Sequence, residues 1–246
     1  MFLKNIVAVL SRSKSLKKFT DYIGWHPLRD GAWRNRTNYE PQVREVINSI
    51  VKKGWVCLDI GSNIGIVTDM LASQSGSSGE VIAFEAFKGN AEQLKKYLKK
   101  EIKVGYVKVH NLAVSDGSLD HLWLYPGRNS AAGEWNIKGQ DLDGIETEAH
   151  LKVKSTSLDD FFSKDYKIDF IKIDVEGAGG QVLEGAKSLI ERSMPMILME
   201  FHNPEEWAAR HQLLSLGYRF YNMDESLIPD DSDRVYLCYA LPGFSK

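Results

Sequence analysis

From Trp55 onward, short apolar runs alternate with longer amphipathic segments, and this alternation constrains the fold more than any other feature of the chain. The apolar runs predict strands at 55–60, 80–84, 105–114, 168–175, 196–201, 218–222 and 234–240. The amphipathic segments predict helices at 40–53, 64–73, 90–100, 182–192 and 205–216. Strands that alternate with helices in this way build βαβ units and a mostly parallel sheet.

The last two predicted strands have no helix between them, so they are expected to form an antiparallel hairpin at or near the sheet edge. The predicted fold is therefore α/β: a Rossmann-like, doubly wound, mostly parallel seven-stranded sheet that ends in an antiparallel hairpin. We expect a domain over 55–246 with an insertion at about 119–158. An N-terminal helical extension over 1–54 precedes it.

The composition is that of an ordinary globular protein. The 246 residues carry 31 Lys and Arg against 33 Asp and Glu, a net charge of −2 that argues against a nucleic-acid-binding surface. Two cysteines, Cys57 and Cys238, are too few for a disulfide scaffold, and both lie in apolar runs. No apolar stretch approaches the roughly 18 residues of a membrane span. These features predict a soluble, cytoplasmic protein.

The N-terminus combines a short apolar run at 6–10 with four basic residues between 12 and 18. A secretory signal would place its charge before the apolar run, whereas here most of it follows. The pattern favours a basic amphipathic helix, which either packs on its own domain, lies on another domain, or makes peripheral contact with an anionic membrane.

Two glycines mark the junction of the first predicted strand and helix. Asp59 is followed by Gly61 and Gly65 in a Gly-x-x-x-Gly spacing, which differs from the Gly-x-Gly-x-x-Gly of a dinucleotide pyrophosphate loop. Ligands of open α/β sheets bind at the carboxyl ends of strands, where glycine permits close approach to the backbone. An acid beside the glycines suits a cationic or amino-acid-bearing ligand, which Asp59 would attract directly or through water.

The second predicted strand ends in Glu85, about 20 residues after the glycines, where nucleotide-binding sheets place the acid that holds a ribose. A solvated strand-end acid is the alternative. Together, Asp59, the two glycines and Glu85 predict a site for a nucleoside without a pyrophosphate, and S-adenosylmethionine fits that description.

The fourth predicted strand turns abruptly acidic at its end, at Asp174 and Glu176. The two positions point the same way if the strand persists that far. Neighbouring acids there could share a proton, position an acceptor hydroxyl or bind a hard cation. Capping the next helix is an equal alternative for Glu176.

These motifs, with segments 59–65, 81–87, 111–116, 157–160, 172–177 and 182–186, make the chain resemble the FkbM-type S-adenosylmethionine-dependent methyltransferases. The resemblance covers roughly 55–201 and is most specific around Asp174. It implies that the first loop cradles the methionine portion, that Glu85 holds the ribose and that Leu112 and Ala113 face the adenine. The predicted cofactor-binding residues are Asp59, Gly61, Ser62, Asn63, Gly65, Glu85, Ala86, Leu112, Ala113 and Asp174. The family's usual acceptor is a hydroxyl of a sugar or natural product.

Two positions depart from the pattern of many family members. Ala86 follows Glu85 where a proline is common, and Gly179 stands where a glutamate is common. The second departure weakens any mechanism that needs a carboxylate at position 179.

The fifth predicted strand supplies Glu200 and His202, which complete a predicted catalytic set of His202, Glu176, Asp174 and Glu200. His202 is the candidate base for the acceptor hydroxyl because histidine titrates near neutral pH, although a surface or capping role is an alternative. The other histidines show no metal-ligand spacing, so the sequence predicts no metal site. Trp123, Tyr125, Arg128 and Trp135 in the insertion would either grip a sugar or pack the fold.

Two other functions are compatible with this sheet. An NAD-dependent oxidoreductase is disfavoured by the acid before Gly61 and by the missing pyrophosphate loop. A nucleoside-binding partner subunit without catalysis would share the cofactor site but not the turnover.

Overall fold

The computed structural model describes residues 33, 35–126, 135–138 and 151–243. The predicted basic N-terminal helix therefore lies outside the described residues, as does Arg128 of the insertion. Among the described residues, no helix combines the length and the hydropathy needed to cross a membrane.

Eight helices follow a short 3-10 turn at Arg36–Asn38 in the described part of the chain. They are α1 (Pro41–Ile50), α2 (Ile66–Ser75), α3 (Lys88–Tyr97), α4 (Lys99–Val104), α5 (Leu158–Phe161), α6 (Gly179–Glu184), α7 (Lys187–Ser193) and α8 (Pro204–Ser215). The strands are β1 (Val56–Ile60), β2 (Glu80–Phe84), β3 (Val107–His110), β4 (Ala113–Val114), β5 (His121–Pro126), β6 (Trp135–Lys138), β7 (Leu151–Thr156), β8 (Phe170–Ile173), β9 (Met196–Glu200), β10 (Tyr218–Tyr221), β11 (Leu227–Ile228) and β12 (Leu237–Pro242).

The main sheet has eight strands in the order β11-β10-β12-β9-β8-β1-β2-β3. Strands β9, β8, β1, β2 and β3 run parallel, with Ile60 beside both Phe84 and Ile173 at their carboxyl ends. The predicted α/β fold with a mostly parallel sheet is confirmed. Seven of its strands are the predicted ones, and the eighth is the two-residue β11.

The predicted hairpin is present at one side of this sheet. β12 pairs antiparallel with both β9 and β10, and the short β11 adds to the outer edge of β10. Because β12 lies directly beside β9, the residues that precede it reach the carboxyl ends of the parallel strands.

Alternate residues of the parallel strands enter two separate apolar cores. Leu58 and Ile82 belong to the core on one face, and Cys57 and Val81 to the core on the other. Both faces of the strands are therefore buried, which explains why they read as continuous apolar runs rather than alternating ones. Cys57 and Cys238 are buried free thiols, and burial raises the pKa of each to about 12.

The insertion forms a second sheet in the order β4-β7-β5-β6. Within this sheet, β5 pairs antiparallel with both β6 and β7. The prediction of one strand over 105–114 is wrong, because the chain leaves the main sheet after β3 and pairs β4 with β7 instead.

The predicted helix at 182–192 is also wrong, since the chain breaks between α6 and α7. A Cβ at Gly185 would lie 2.0 Å from the carbonyl oxygen of Ser115, so only glycine allows this close contact. Asp159 then caps α7, because its carboxylate accepts the backbone N–H groups of Ser188 and Leu189 at 2.9 and 2.7 Å. The break ties the second sheet to the helical layer.

Candidate active site

The turn between β1 and α2 is shaped by its two glycines. Gly61 has a φ of +77°, and a Cβ there would lie 1.8 Å from the carbonyl oxygen of Asp174. Gly65 has a φ of +89°, and its Cβ would meet Leu94 Cγ at 2.6 Å. Both glycines are thus required by contacts within the protein, at the end of β8 and against α3. The predicted reason, close approach of a ligand, does not apply to Gly65.

Glu85 closes the end of β2 and is almost fully buried. Its two carboxylate oxygens accept the backbone N–H groups of Asn63 and Phe87, each at 2.8 Å. Burial raises the pKa of Glu85 to about 7 against the opposing effect of these two donors. A carboxylate has about four lone-pair sites, so the two amides leave room for two further donors.

A cleft follows the carboxyl ends of β1, β2 and β8 and is closed on one side by the second sheet. Its wall combines apolar side chains with the carboxylates of Glu85, Asp174 and Glu176. The lining residues are Ile60, Gly61, Asn63, Phe84, Glu85, Ala86, Phe87, Leu112, Ala113, Val114, Leu124, Asp174, Val175 and Glu176. Since none of these is basic, the cleft is a poor site for a pyrophosphate.

Behind the cleft lies a buried ion network centred on Lys172. Its Nζ lies 3.2 Å from Asp174 Oδ2 and 3.6 Å from Asp59 Oδ1, and it donates to the carbonyl oxygen of Gly61 at 3.1 Å. Asp59 is fully buried and also accepts the Thr68 hydroxyl at 2.6 Å. Burial alone would lower the pKa of Lys172, but Asp174 and Asp59 raise it, so the lysine is charged.

A second cavity of about 570 Å³ adjoins the cleft and shares Asn63, Asp174 and Glu176 with it. Its wall is rich in carboxylates and tyrosines, and part of it comes from the start of α1. The lining residues are Tyr39, Glu40, Pro41, Gln42, Val43, Asn63, Asp174, Glu176, Glu200, Tyr236 and Leu237. The start of α1 therefore forms part of the site.

His202 stands among three carboxylates beside this cavity. Its Nε2 lies 3.3 Å from Asp174 Oδ1 and 4.0 Å from Glu200 Oε2, and its Nδ1 lies 3.8 Å from Glu176 Oε2. Burial alone would lower the pKa of His202, but the hydrogen bond to Asp174 and the charge of Glu176 raise it. The imidazole is thereby favoured in its protonated form when nothing else binds there.

Two of the three carboxylates beside His202, those of Asp174 and Glu200, differ in their protonation. Burial alone would raise the pKa of Asp174, but Lys172 and His202 lower it to about 2. Burial and the charge of Asp174 raise the pKa of Glu200 to about 7. Asp174 is therefore a fixed negative charge, whereas Glu200 exchanges a proton near neutral pH.

Glu206 of α8 explains the unusual glycine at 179. Its carboxylate accepts the backbone N–H of Gly179 at 2.7 Å and that of His202 at 2.6 Å. A Cβ at Gly179 would lie 2.4 Å from Met199 Cε and 2.9 Å from Glu206 Oε1. The space that an acid at 179 would need is thus filled by a carboxylate that arrives from another helix.

The sequence of the chain also matches a known protein family. Residues 59–220 match the methyltransferase FkbM domain, which is more than half of the chain. The chain belongs to the FkbM methyltransferase family. The resemblance inferred from the motifs is confirmed.

Relatives of this FkbM domain include a segment of the AMB antimetabolite synthetase AmbE of Pseudomonas aeruginosa, which is 27% identical over 231 residues. That match covers 78% of this chain but 11% of the synthetase. The methyltransferase FkbM from Methylobacillus flagellatus has a similar structure, with a TM-score of 0.51 and 16% identity over 80% of this chain and 50% of that one. A putative rRNA methylase from Clostridium thermocellum also has a TM-score of 0.51, at 12% identity over 84% of this chain and 96% of that one. At these low sequence identities, the structural similarity shows a shared fold and nothing about function.

The structure brings most of the predicted residues of this FkbM domain to the two cavities. Seven of the ten predicted cofactor residues line the cleft, whereas Asp59, Ser62 and Gly65 are buried behind it. Ser62 donates its hydroxyl to the carbonyl oxygen of Phe84, which holds the turn rather than a ligand. Asp174 and Glu176 were predicted to point the same way if the strand continued through them. This condition is not met, because β8 ends at Ile173 and Glu176 has a φ of +49°.

Several lining residues were not anticipated. Phe87 and Leu124 line the cleft, and Tyr39, Glu40 and Tyr236 line the second cavity. The buried ion pair of Lys172 could have been predicted from the sequence, since a lysine inside a buried apolar strand needs a carboxylate partner. Of the insertion aromatics, Tyr125 is buried, as the packing alternative expects, and Trp123 lines neither cavity.

Proposed function

We propose that this FkbM domain transfers a methyl group from S-adenosylmethionine to a hydroxyl of a sugar, glycan or natural-product acceptor. The observation that carries this proposal is the pair of adjoining cavities, which meet at Asn63, Asp174 and Glu176. A cleft that places Glu85 beside an apolar wall and an adjoining cavity lined by acids suit a donor and an acceptor. The Pseudomonas relative is an antimetabolite synthetase, which supports a natural-product acceptor.

The side chains of the cleft fit S-adenosylmethionine. Glu85 retains two lone-pair sites for the ribose hydroxyls, and Leu112 and Val114 offer an apolar wall to an adenine. Asn63 Oδ1 is buried and accepts no hydrogen bond from the described residues, so it is available to the ammonium of the amino-acid portion. When bound, this cofactor supplies an electrophilic methyl group on a sulfonium.

The acceptor hydroxyl must lose its proton as the oxygen forms its bond to the methyl carbon and the sulfur–carbon bond breaks. We place this hydroxyl in the second cavity, beside Asp174, Glu200 and His202. Asp174 is shared by both cavities, so its fixed charge sits at their junction and aligns the acceptor with the donor. Glu206 holds the backbone of His202 in place.

Glu85→Gln tests the cofactor site. The amide side chain offers one carbonyl oxygen in place of two carboxylate oxygens, so it cannot satisfy both backbone amides and the ribose. We expect the affinity for S-adenosylmethionine to fall by roughly tenfold to a hundredfold, the range for loss of a hydrogen bond to a charged group. Calorimetric titration measures this, with the exposed Glu92→Gln of α3 as control. Equal affinities in both variants would remove Glu85 from the site.

His202→Ala tests the acceptor side. Loss of an acceptor-activating group should reduce turnover by about 10²–10⁴-fold. The affinity for S-adenosylmethionine should remain within a fewfold of the parent, because His202 does not line the cleft. His211→Ala on the exposed face of α8 is the matched control. Full turnover in His202→Ala would rule out an activating role.

The acceptor is sought by incubating the protein with S-adenosylmethionine and panels of glycans and natural products, with S-adenosylhomocysteine release as the readout. Titration with NADH alongside S-adenosylmethionine separates the methyltransferase from an oxidoreductase. Binding of S-adenosylmethionine without turnover on any acceptor would instead favour a non-catalytic partner subunit.

A further inference from the structure

The group around His202 has the geometry of a metal site. One donor atom each from Asp174, Glu200 and His202 lies within 4.8 Å of the other two. Asp174 follows β8 directly, Glu200 ends β9 and His202 follows two residues later, so the donors come from neighbouring parallel strands. At this spacing, one cation can contact all three donor atoms after small side-chain movements.

The donor types suit a divalent first-row cation. Two carboxylate oxygens and one imidazole nitrogen form a mixed oxygen and nitrogen set, which Mn²⁺ and its neighbours accept, whereas Ca²⁺ and Mg²⁺ prefer oxygen throughout. The described residues contribute no thiol to this group, because both cysteines are buried elsewhere.

Each donor is also held from behind by a group outside the set, as ligands of metal sites usually are. Lys172 donates to Oδ2 of Asp174 at 3.2 Å, which leaves Oδ1 directed at His202. Glu206 accepts the backbone N–H of His202, and the ring of Tyr236 packs edge-on against the imidazole at 5.5 Å. The side chain of Tyr236 also forms a hydrogen bond with the carboxylate of Glu200. The three donors are therefore oriented before any ion arrives.

The surrounding charge favours a cation as well. Glu40 and Glu176 line the same cavity as Asp174 and Glu200, and none of the described residues that line it is basic. Lys172 lies behind Asp174 on the buried side of the strand ends. A cation seated against Asp174, Glu200 and His202 would have its open coordination positions toward the cavity.

We propose that Asp174, Glu200 and His202 bind a divalent cation at the edge of the second cavity. The binding site stands on its geometry alone, whereas its role rests on the proposed methyl transfer. In that role, the ion coordinates the acceptor oxygen and lowers the pKa of its hydroxyl, and the proton leaves to solvent. His202 then acts as a ligand rather than as the base expected from the sequence, and the predicted absence of a metal site is revised.

Mn²⁺ is the probe. The purified chain, stripped with EDTA and dialysed, is titrated with MnCl₂ while the electron paramagnetic resonance signal of free Mn²⁺ is recorded, without S-adenosylmethionine or acceptor. We expect one bound ion per chain. Glu200→Gln and His202→Ala should each weaken binding at least tenfold, while the exposed Glu205→Gln of α8, a matched change of one carboxylate nearby, should leave it unchanged. Circular dichroism establishes that each variant is folded.

Failure to bind Mn²⁺ stoichiometrically, or equal weakening by Glu205→Gln, would overturn the proposed site. Calorimetric titration of the EDTA-treated protein with S-adenosylmethionine is independent of this result. Cofactor binding without Mn²⁺ binding would defeat the metal site and leave the proposed function intact. Mn²⁺ binding without cofactor binding would keep the site and defeat the proposed function.

Discussion

Replacing Lys172 with methionine is expected to lower the free energy of unfolding by about 3–5 kcal/mol, the usual cost of removing one partner of a buried ion pair. The substitution leaves Asp59 and Asp174 facing each other with no cation between them. Both carboxylates then bind protons more tightly in the folded than in the unfolded chain. The defect should therefore shrink as the pH falls from 7 to 5.

Urea denaturation at both pH values measures this loss. The exposed Lys99→Met of α4 serves as control and should change the free energy of unfolding by no more than about 0.5 kcal/mol. Adding Asp59→Asn to Lys172→Met removes one of the two unpaired charges and should recover part of the stability. A Lys172→Met protein as stable as the control at pH 7 would show that the network does not hold the strand ends together.

Gly61→Ala is expected to destabilise the protein by about 2–5 kcal/mol, because two costs add. The positive φ of Gly61 alone costs an alanine about 1–2 kcal/mol. The new Cβ would in addition lie 1.8 Å from the carbonyl oxygen of Asp174, so the ends of β1 and β8 must separate. Overpacking of this kind typically costs a further 1–3 kcal/mol or so. Since Asp174 joins the two cavities, cofactor affinity should fall as well.

Gly105→Ala separates the two costs. Gly105 follows α4 with a φ of +102°, and in the described part of the chain no atom outside its chain neighbours lies within 4 Å of the added Cβ. It therefore carries the backbone penalty without the clash, and about 1–2 kcal/mol is expected. Thermal and urea unfolding of both variants give the difference. Equal losses in the two would show that the contact between Gly61 and Asp174 relaxes freely.

The sequence predicted those parts of the site that arise from local pattern. A buried parallel strand is apolar to its end, so Glu85, Asp174 and Glu200 stood out as acids placed where strands terminate. Because parallel strands end at one edge, their proximity followed from the fold. The alternation of strands and helices likewise predicted a mostly parallel sheet that ends in an antiparallel hairpin.

The parts that were missed depend on contacts between distant segments. Glu40 and Tyr236 are almost 200 positions apart and meet at one cavity only because α1 and β12 pack beside β9 and the strand ends. The break at Gly185 depends on Ser115, the residue that follows β4 of the second sheet. Glu206 supplies the carboxylate beside Gly179 from α8. No periodicity or spacing in the sequence indicates contacts of this kind between distant segments.

The break at Gly185 affects the entropy cost of binding a ligand in the cleft. It presses the backbone of Ser115 against the helical layer, directly after the residues at 112–114 that form one wall of the cleft. That wall is therefore assembled during folding, and a ligand entering the cleft need not order it. Conformational entropy that a mobile wall would lose on binding has already been lost when the chain folds.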